Sequence, residues 1–404
     1  MVVEVKKGKA IGQIDAPASK SMAHRSLICG ALSKKSVIKG VAFSEDIKAT
    51  IGCLQALGAE VEINGDTVII GGLLQNEKRI ENPLFCNESG STLRFLLPLC
   101  LLKDEAICLT GSKRLFERSL SVYEDICKSQ GIQYLKGDDR VAVKGKLQSG
   151  VYEVRGDISS QFISGLLFSL PLLDGDSIIK ITGKFESASY VGLTLKALGD
   201  FGIRVTRMDA NSFMVYGNQS YFGRELTVEG DYSNSAFFEA FNLFDGNVFV
   251  NGLLEDSLQG DKIYREYFNI LEKSPETPID LTDCPDLGPI LFAVAAALNG
   301  GTFVGTERLR IKESDRITAM KEELFKFGVG LRECDNCVEI ENCELLEPKA
   351  VLSGHNDHRI VMALSILCSL KGGKIAGAEA VKKSLPDFFK LISSLGIEVL
   401  SDES

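Results

Sequence analysis

The chain has 404 residues, 45% of them apolar and 25% charged, with a net charge of −10 at pH 7. That length suggests two or three domains with ample core. The acidic balance argues against a nucleic-acid or anionic-membrane binder, which needs a basic face, so basic residues gathered in one place stand out.

Met1–Ala10 carries lysines but no apolar core, unlike a secretory leader. Pro17–Arg25 then reads P-A-S-K-S-M-A-H-R and leads into an apolar-periodic run, Leu27, Ile28, Ala31 and Leu32. Ser19 is a natural N-cap, because its hydroxyl can accept from the free amides of the first turn. Lys20 and Ser21 stand at the helix mouth, where exposed amides and the macrodipole favour an anion. Arg25 returns to the same side of the helix. Taken alone, the stretch suits a phosphate or a carboxylate and equally a solvated basic helix start.

Further along, one phrase recurs: an apolar helix end, a glycine, then a short strand. It occurs around Gly58, Gly131, Gly202, Gly328 and Gly396, each placed as a residue that ends its helix in the left-handed region. These glycines fall 73, 71, 126 and 68 residues apart, and the 126 gap leaves room for one more copy, at Phe268–Leu281 without its glycine. Six units of about 70 residues follow from that period. Each unit holds a second apolar helix opened by a polar cluster. Asn87–Arg94 precedes Phe95–Leu102, and Gly156–Gln161 precedes Phe162–Leu170. Glu229–Ser235 precedes Ala236–Phe244, Asp283–Gly288 precedes Pro289–Leu298, and Gly354–Arg359 precedes Ile360–Leu370. With Ser19–Arg25 that makes six capped helices, and two domains of three units are expected. A cleft lined by their N-termini would be positive in potential despite the net charge.

The joint between the domains is expected near Arg224–Asp231. No Walker loop is present, since Ala18–Ser21 lacks the preceding glycines, and no GxGxxG sits between a strand and a helix. The longest apolar run, Leu287–Leu298, is too short to span a bilayer, which takes about 20 residues. A cytoplasmic protein is expected. The cysteines number eleven; Cys334 and Cys337 form a CxxC with Cys343 beyond it, but histidines occur only at 24, 355 and 358. That is thin for a zinc site, so reduced structural thiols are expected.

Basic residues cluster at caps and loops: Lys113, Arg114 and Arg118; Lys312 and Arg316, spaced to share a helix face; Arg359 after His358; and Lys383 before Leu385-Pro386. For acid–base work, Asp286 stands at a helix start and Glu313 follows Lys312, with His358 a further candidate. A carboxylate beside cations stays ionised and can act as a base. No Ser-His-Asp set is assignable. The residues alone point to a binder of multiply anionic small molecules between two domains.

These motifs resemble a known family, the enolpyruvyl transferases, and within it the branch whose acceptor is shikimate 3-phosphate. The resemblance covers essentially the whole chain. It rests on P-A-S-K-S-M-A-H-R (17–25), E-S-G-S-T-L-R (88–94), G-S-K-R-L-F-E-R (111–118), G-D-I-S-S-Q-F (156–162), P-D-L-G (285–288), I-K-E-S-D-R (311–316), N-D-H-R (356–359) and K-S-L-P-D (383–387). It implies an α/β fold of two inside-out, barrel-like domains, each of three repeated β-α-β-α-β-β units with buried parallel helices. One domain would be discontinuous, 1–16 plus 230–404, with 17–229 inserted and the active site in the cleft between them.

The resemblance assigns shikimate 3-phosphate to Lys20, Ser21, Arg25, Ser159, Ser160, Gln161, Ser187, Asp286 and Lys312. It assigns phosphoenolpyruvate to Lys20, Gly90, Arg114, Gln161, Arg316, Arg359 and Lys383. The implied reaction transfers the enolpyruvyl group to the 5-hydroxyl of shikimate 3-phosphate and releases phosphate, by addition–elimination through a tetrahedral intermediate, on the way to chorismate and the aromatic amino acids. Asp286 would accept the hydroxyl proton and Glu313 would serve the methylene carbon, with Lys20 a second candidate. No metal or organic cofactor is implied, no nucleic acid or membrane partner, and a monomer is expected. Arg308 and Glu88 stand where family members commonly have asparagine, Ser91 replaces a usual threonine, and Ala188-Ser189 a frequent Lys-Pro. The sister branch, which uses UDP-N-acetylglucosamine, carries a cysteine in the loop matching Ser112–Glu117, and this chain has none there.

Overall fold

A computed structural model describes residues 1–76, 80 and 83–402. The chain divides into two compact units, Ala18–Glu229 and Met1–Pro17 with Gly230–Ser404. Each encloses its own apolar core.

Six helices form the centres of these cores. In the unit Ala18–Glu229 they are α1 (Lys20–Leu32), α2 (Gly90–Cys100) and α3 (Ser160–Ser169); in the other they are α4 (Tyr232–Glu239), α5 (Gly288–Ala297) and α6 (His358–Lys371). They are apolar nearly all round, which suits a helix buried on every side rather than on one stripe. In α5, for example, every residue from Gly288 to Ala296 is buried. The polar clusters read from the sequence supply the caps: Ser19, Ser89, Ser159, Asp231 and Asp357 each accept a backbone N–H of the first turn. Only α5 opens differently, through the 3-10 turn Pro285–Leu287. The helix expected at Ala236–Phe244 starts earlier, at Tyr232, and passes into a 3-10 turn at Ala240–Leu243. Where α2 meets α3 the backbones nearly touch. A Cβ on Gly165 would lie 2.3 Å from both the Arg94 carbonyl oxygen and Tyr123 Oη, so only glycine fits.

Within a repeat the chain runs strand, core helix, strand, outer helix, then a hairpin whose last strand inserts beside the second. Leu84–Phe85, Ile107–Thr110, Arg140–Lys144 and Gln133–Lys136 lie side by side in that order, the first pair parallel and the rest antiparallel. Val151–Arg155, Ser177–Thr182, Ser212–Val215 and Val205–Asp209 repeat it, as do Ile279–Asp280, Gly301–Val304, Cys337–Ile340 and Leu331–Cys334. Two repeats are completed from far along the chain. Glu225–Thr227 supplies the first strand for the α1 repeat, pairing in parallel with Ser36–Lys39. The amino-terminal strand Val2–Val5 inserts between Gly373–Ala376 and Val399–Asp402 in the α6 repeat.

The remaining repeat is incomplete, which corrects the reading of Phe268–Leu281 as a further helix–strand copy. Helix Tyr264–Lys273 ends at Ser274, whose φ is negative, and runs into Ile279–Asp280, the opening strand of the next sheet. Without a glycine to reverse the chain no hairpin follows, and among the described residues that sheet holds Ile11–Asp15 and Asn247–Asn251.

Candidate active site

In the unit Ala18–Glu229 the site residues gather at the mouths of α1, α2 and α3. Ser19 caps α1, and Lys20 Nζ lies 2.8 Å from the Asp46 carboxylate, a partner no motif announced. Asp46 opens the helix Glu45–Ala56, whose Ser44 cap was the only available signal. Arg25 is buried and donates from every guanidinium nitrogen: Nε to Thr194 Oγ1 at 2.9 Å, Nη1 to the Ser21 carbonyl at 2.7 Å and Nη2 to the Tyr190 carbonyl at 2.8 Å. Burial pulls its pKa down to about 10. Tyr190 belongs to the helix Ala188–Asp200, which begins after Ser187, a non-glycine residue held at φ +53°. Such strain persists where surrounding structure fixes it, and it is a feature of binding sites. His24 is kept neutral, its pKa well below the usual value through burial, with Lys20 and Arg25 adding to the effect. It joins a buried chain of side chains, His24 Nδ1 to Thr50 at 2.8 Å, Thr50 to Thr92 at 2.6 Å and Thr92 to Ser89 at 2.7 Å.

Two arginines that the sequence-based assignment left out stand at the α2 mouth. Arg94 Nη1 donates to Gln161 Oε1 at 2.8 Å, while Gln161 Nε2 donates to Ser91 Oγ at 3.0 Å. An added Cβ on Gly90 would lie 2.9 Å from Arg118 Nη1 and 3.0 Å from Arg94 Nη1. Glycine at position 90 therefore lets both guanidinium groups reach the helix mouth. Arg114, the expected residue, is half-buried and faces Glu117 at 3.1 Å; Arg118, four residues on, is the arginine beside Gly90. Both are in the G-S-K-R-L-F-E-R motif, Arg114 within the helix Lys113–Glu117 and Arg118 just after its end. Ser159 caps α3 and Ser160 begins it.

In the other unit the cluster is denser. Arg316, 1% exposed, is ringed by three carboxylates: Nη1 to Asp286 at 2.9 Å, Nη2 to Glu313 at 3.0 Å and Nε to Asp357 at 2.9 Å. Asp286 also meets Lys312 at 3.1 Å, and its second oxygen lies 3.7 Å from Arg359. Burial opposes ionisation of Asp286, but Lys312, Arg359 and Arg316 together outweigh it and hold the carboxyl well below its usual range. Lys312 is pulled down to about 8, chiefly by burial, with Asp286 resisting and Arg308 and Arg316 adding to the fall.

Asp357, fully buried, is the member that sequence reasoning missed. It caps α6 through the Arg359 N–H and also accepts from Ser314 Oγ at 3.1 Å. Its place in N-D-H-R as a helix cap was its only signal. Lys383 Nζ donates to the Asn356 carbonyl at 2.6 Å, from a turn in which His355 and Asn356 both have positive φ. His358 is buried, its Nδ1 3.9 Å from Asp357. Chemically, this half offers an ionised carboxylate, a lysine poised to exchange its proton, and further cations for anionic ligands.

Among the described residues, two groups have metal-ligand geometry, Cys334 with Cys337 and Glu339, and Glu322 with Glu323 and His355. The first corrects the expectation of reduced thiols: Cys334 and Cys337 face each other across a hairpin and are joined as a disulfide. The other nine cysteines take part in no disulfide. No helix among the described residues is long and apolar enough to cross a membrane.

The profile of the family described as EPSP synthase (3-phosphoshikimate 1-carboxyvinyltransferase) matches residues 5–392. The chain is 42% identical to the 3-phosphoshikimate 1-carboxyvinyltransferase of Clostridium kluyveri over 419 aligned positions, covering 98% of each chain. It is 39% identical to that of Clostridium botulinum strain Alaska E43, covering 96% of each. In structure it resembles EPSP synthase from Acinetobacter baumannii with a TM-score of 0.80 at 22% identity, covering 99% of this chain and 100% of that one. It also resembles the enolpyruvyl transferase NikO from Streptomyces tendae, with a TM-score of 0.79 at 13% identity, covering 99% of this chain and 98% of that one. Those two likenesses establish the inside-out α/β fold. With a family profile spanning nearly the whole chain and relatives near 40% identity, the chain belongs to the EPSP synthase family.

Proposed function

We infer that this chain catalyses the reaction for which its family is named: transfer of the enolpyruvyl group of phosphoenolpyruvate to the 5-hydroxyl of shikimate 3-phosphate, with release of phosphate, in aromatic amino acid biosynthesis. The observation that carries the reading is Asp286, ionised among Lys312, Arg316 and Arg359. The two substrates bring two phosphates and two carboxylates, so a set of clustered arginines and lysines is the chemistry they require. Lys20, Ser21, Arg25, Ser159, Ser160, Gln161, Ser187, Asp286 and Lys312 take shikimate 3-phosphate. Lys20, Gly90, Arg114, Gln161, Arg316, Arg359 and Lys383 take phosphoenolpyruvate, and Arg118 and Arg94 stand beside Gly90 as further cations for it. Asp286 accepts the proton as the 5-hydroxyl attacks the enolpyruvyl carbon. Glu313, aligned by Arg316, serves the methylene carbon, with Lys20 the second candidate. The tetrahedral adduct then expels phosphate. A cytoplasmic monomer that needs no cofactor completes the reading.

One assay tests it: phosphate release from phosphoenolpyruvate with shikimate 3-phosphate, with UDP-N-acetylglucosamine, and with neither. Release with the first alone supports the reading; release with the second, or none at all, sinks it.

Two further outcomes arise from the geometry. Gly90→Ala should push Arg118 and Arg94 aside, since the ends of flexible side chains yield before backbone does. The KM for phosphoenolpyruvate is expected to rise about tenfold, the loss of one or two charge-assisted hydrogen bonds. A KM within twofold of the parent, or so, would show that the α2 mouth does not hold that substrate. The second outcome concerns pH. Lys312, with its pKa near 8 in the free protein, loses its charge as pH rises through that value. The profile of kcat/KM for shikimate 3-phosphate, which reports the free enzyme, should therefore fall above about pH 8, and Lys312→Arg should flatten that limb.

A further inference from the structure

The hairpin Leu331–Ile340 contains no residue assigned to either substrate, yet it grips the segment that carries two of them, Lys312 and Arg316, with Glu313 between. Its two strands pair with Cys334 directly opposite Cys337, and the disulfide joins them there. Only Asp335 and Asn336 form the turn, and Asn336 has φ +49°, the left-handed region that asparagine tolerates better than most side chains. Asn336 accepts two backbone donors from the facing loop. Its carbonyl oxygen takes the Gly305 N–H at 3.1 Å, and its Oδ1 takes the Glu307 N–H at 2.8 Å. Beside Cys334, Glu333 pairs with Arg310 at 2.5 Å, and Arg310 reaches Asp315 at 3.2 Å. Gly305 packs closely on its other side, where an added Cβ would lie 2.3 Å from Thr282 Oγ1. From this anchored start the turn Glu307–Ile311 runs straight into Lys312, Glu313 and Arg316.

We propose that the hairpin is a redox-dependent positioning element for the active-site segment, with Asn336 as its positioning residue and the Cys334–Cys337 disulfide as its lock. The proposal rests on the functional reading above. With the disulfide closed, Asn336 is held in its left-handed conformation and fixes Gly305–Glu307. Cys334 is exposed, so a small dithiol can reach it. Its thiolate attacks the Cys334 sulfur and breaks the S–S bond, and Cys337 leaves as a thiolate that takes a proton. The reductant's second thiolate then displaces Cys334, which takes a proton in turn, and the reductant closes to a cyclic disulfide. Two electrons and two protons pass to the cysteine pair. The strands keep their ladder, but the turn loses its covalent closure, and the Gly305 and Glu307 donors turn to water.

The test uses the full oxidised chain in the phosphate-release assay, then the same protein after dithiothreitol and after re-oxidation, with the state of Cys334 and Cys337 followed by alkylation and mass spectrometry. Reduction should lower kcat/KM for shikimate 3-phosphate about fivefold, reversibly, as expected for one or two misplaced hydrogen bonds. It should also move the pH limb assigned to Lys312, which a purely stabilising bond would leave in place. Asn336→Ala should show the same loss while oxidised, and Asn336→Asp, which keeps the acceptor, should recover to within about twofold. The double variant Cys334→Ser, Cys337→Ser should match the reduced protein and ignore dithiothreitol. An unchanged kcat/KM on reduction, equal behaviour of Asn336→Ala and Asn336→Asp, or a dithiothreitol response in the double variant would each overturn the proposal. Absence of turnover in the oxidised parent would instead overturn the functional reading.

Discussion

Asp286→Ala is expected to lower turnover at least about a hundredfold while leaving shikimate 3-phosphate binding within about tenfold, the range for removing a general base rather than a binding group. Lys312, Arg316 and Arg359 all converge on this carboxylate. Removing it leaves those cations free to meet the substrate's own anionic groups, so affinity should survive. What is lost is the acceptor for the hydroxyl proton. Asp286→Asn should lose nearly as much, because the amide keeps the shape and cannot take the proton.

The low pKa of Asp286 also has a kinetic consequence. A carboxylate stabilised by several cations is a weak base in the free protein. Anionic substrates that share those cations weaken their hold on Asp286 and raise its basicity when a base is needed. The acid limb of kcat, which reports the complex, should therefore lie at higher pH than that of kcat/KM. Steady-state phosphate release across pH, with calorimetric binding of shikimate 3-phosphate to the variant, checks both points. Turnover of Asp286→Ala within tenfold of the parent, or thereabouts, would remove Asp286 as the base.

Much of this arrangement was legible because it is local. The polar clusters became helix caps, and Gly58, Gly131, Gly202, Gly328 and Gly396 all have positive φ where their helices end. Caps and terminating glycines depend on a few neighbouring residues, and a sequence period reports them well. Pairings across tens or hundreds of residues were another matter. Nothing near Lys20 pointed to Asp46, and nothing near Arg316 pointed to Asp357, forty-one positions on. The insertion of Val2–Val5 into the sheet that holds Val399–Asp402 is likewise set by closure of the core. That Arg118 stands beside Gly90 depends on where a short helix ends, the kind of boundary that sequence patterns fix least well. The disulfide needed the register of a hairpin, which the spacing of two cysteines does not reveal by itself.

Arg316 carries the largest expected effect on stability. It is 1% exposed and divides its nitrogens among Asp286, Glu313 and Asp357, of which Asp357 is fully buried. Replacing it with methionine keeps the bulk of the side chain and strips those carboxylates of a shared cation, at an expected cost of roughly 3–5 kcal/mol. The pH dependence gives the sign of the mechanism. Asp286 and Asp357 have folded pKa values below their ordinary value of 3.8, so their contribution is present above that value and is lost as pH falls through the folded pKa. The deficit of Arg316→Met should therefore be full at neutral pH and shrink in acid, as the stranded carboxylates take protons. Arg316→Lys should not recover the loss, since one ammonium cannot meet acceptors placed opposite Nε, Nη1 and Nη2 at once. Urea unfolding of the parent and both variants at neutral and acidic pH measures this. A deficit that stays constant as pH falls would mean that Arg316 acts by packing and not by charge.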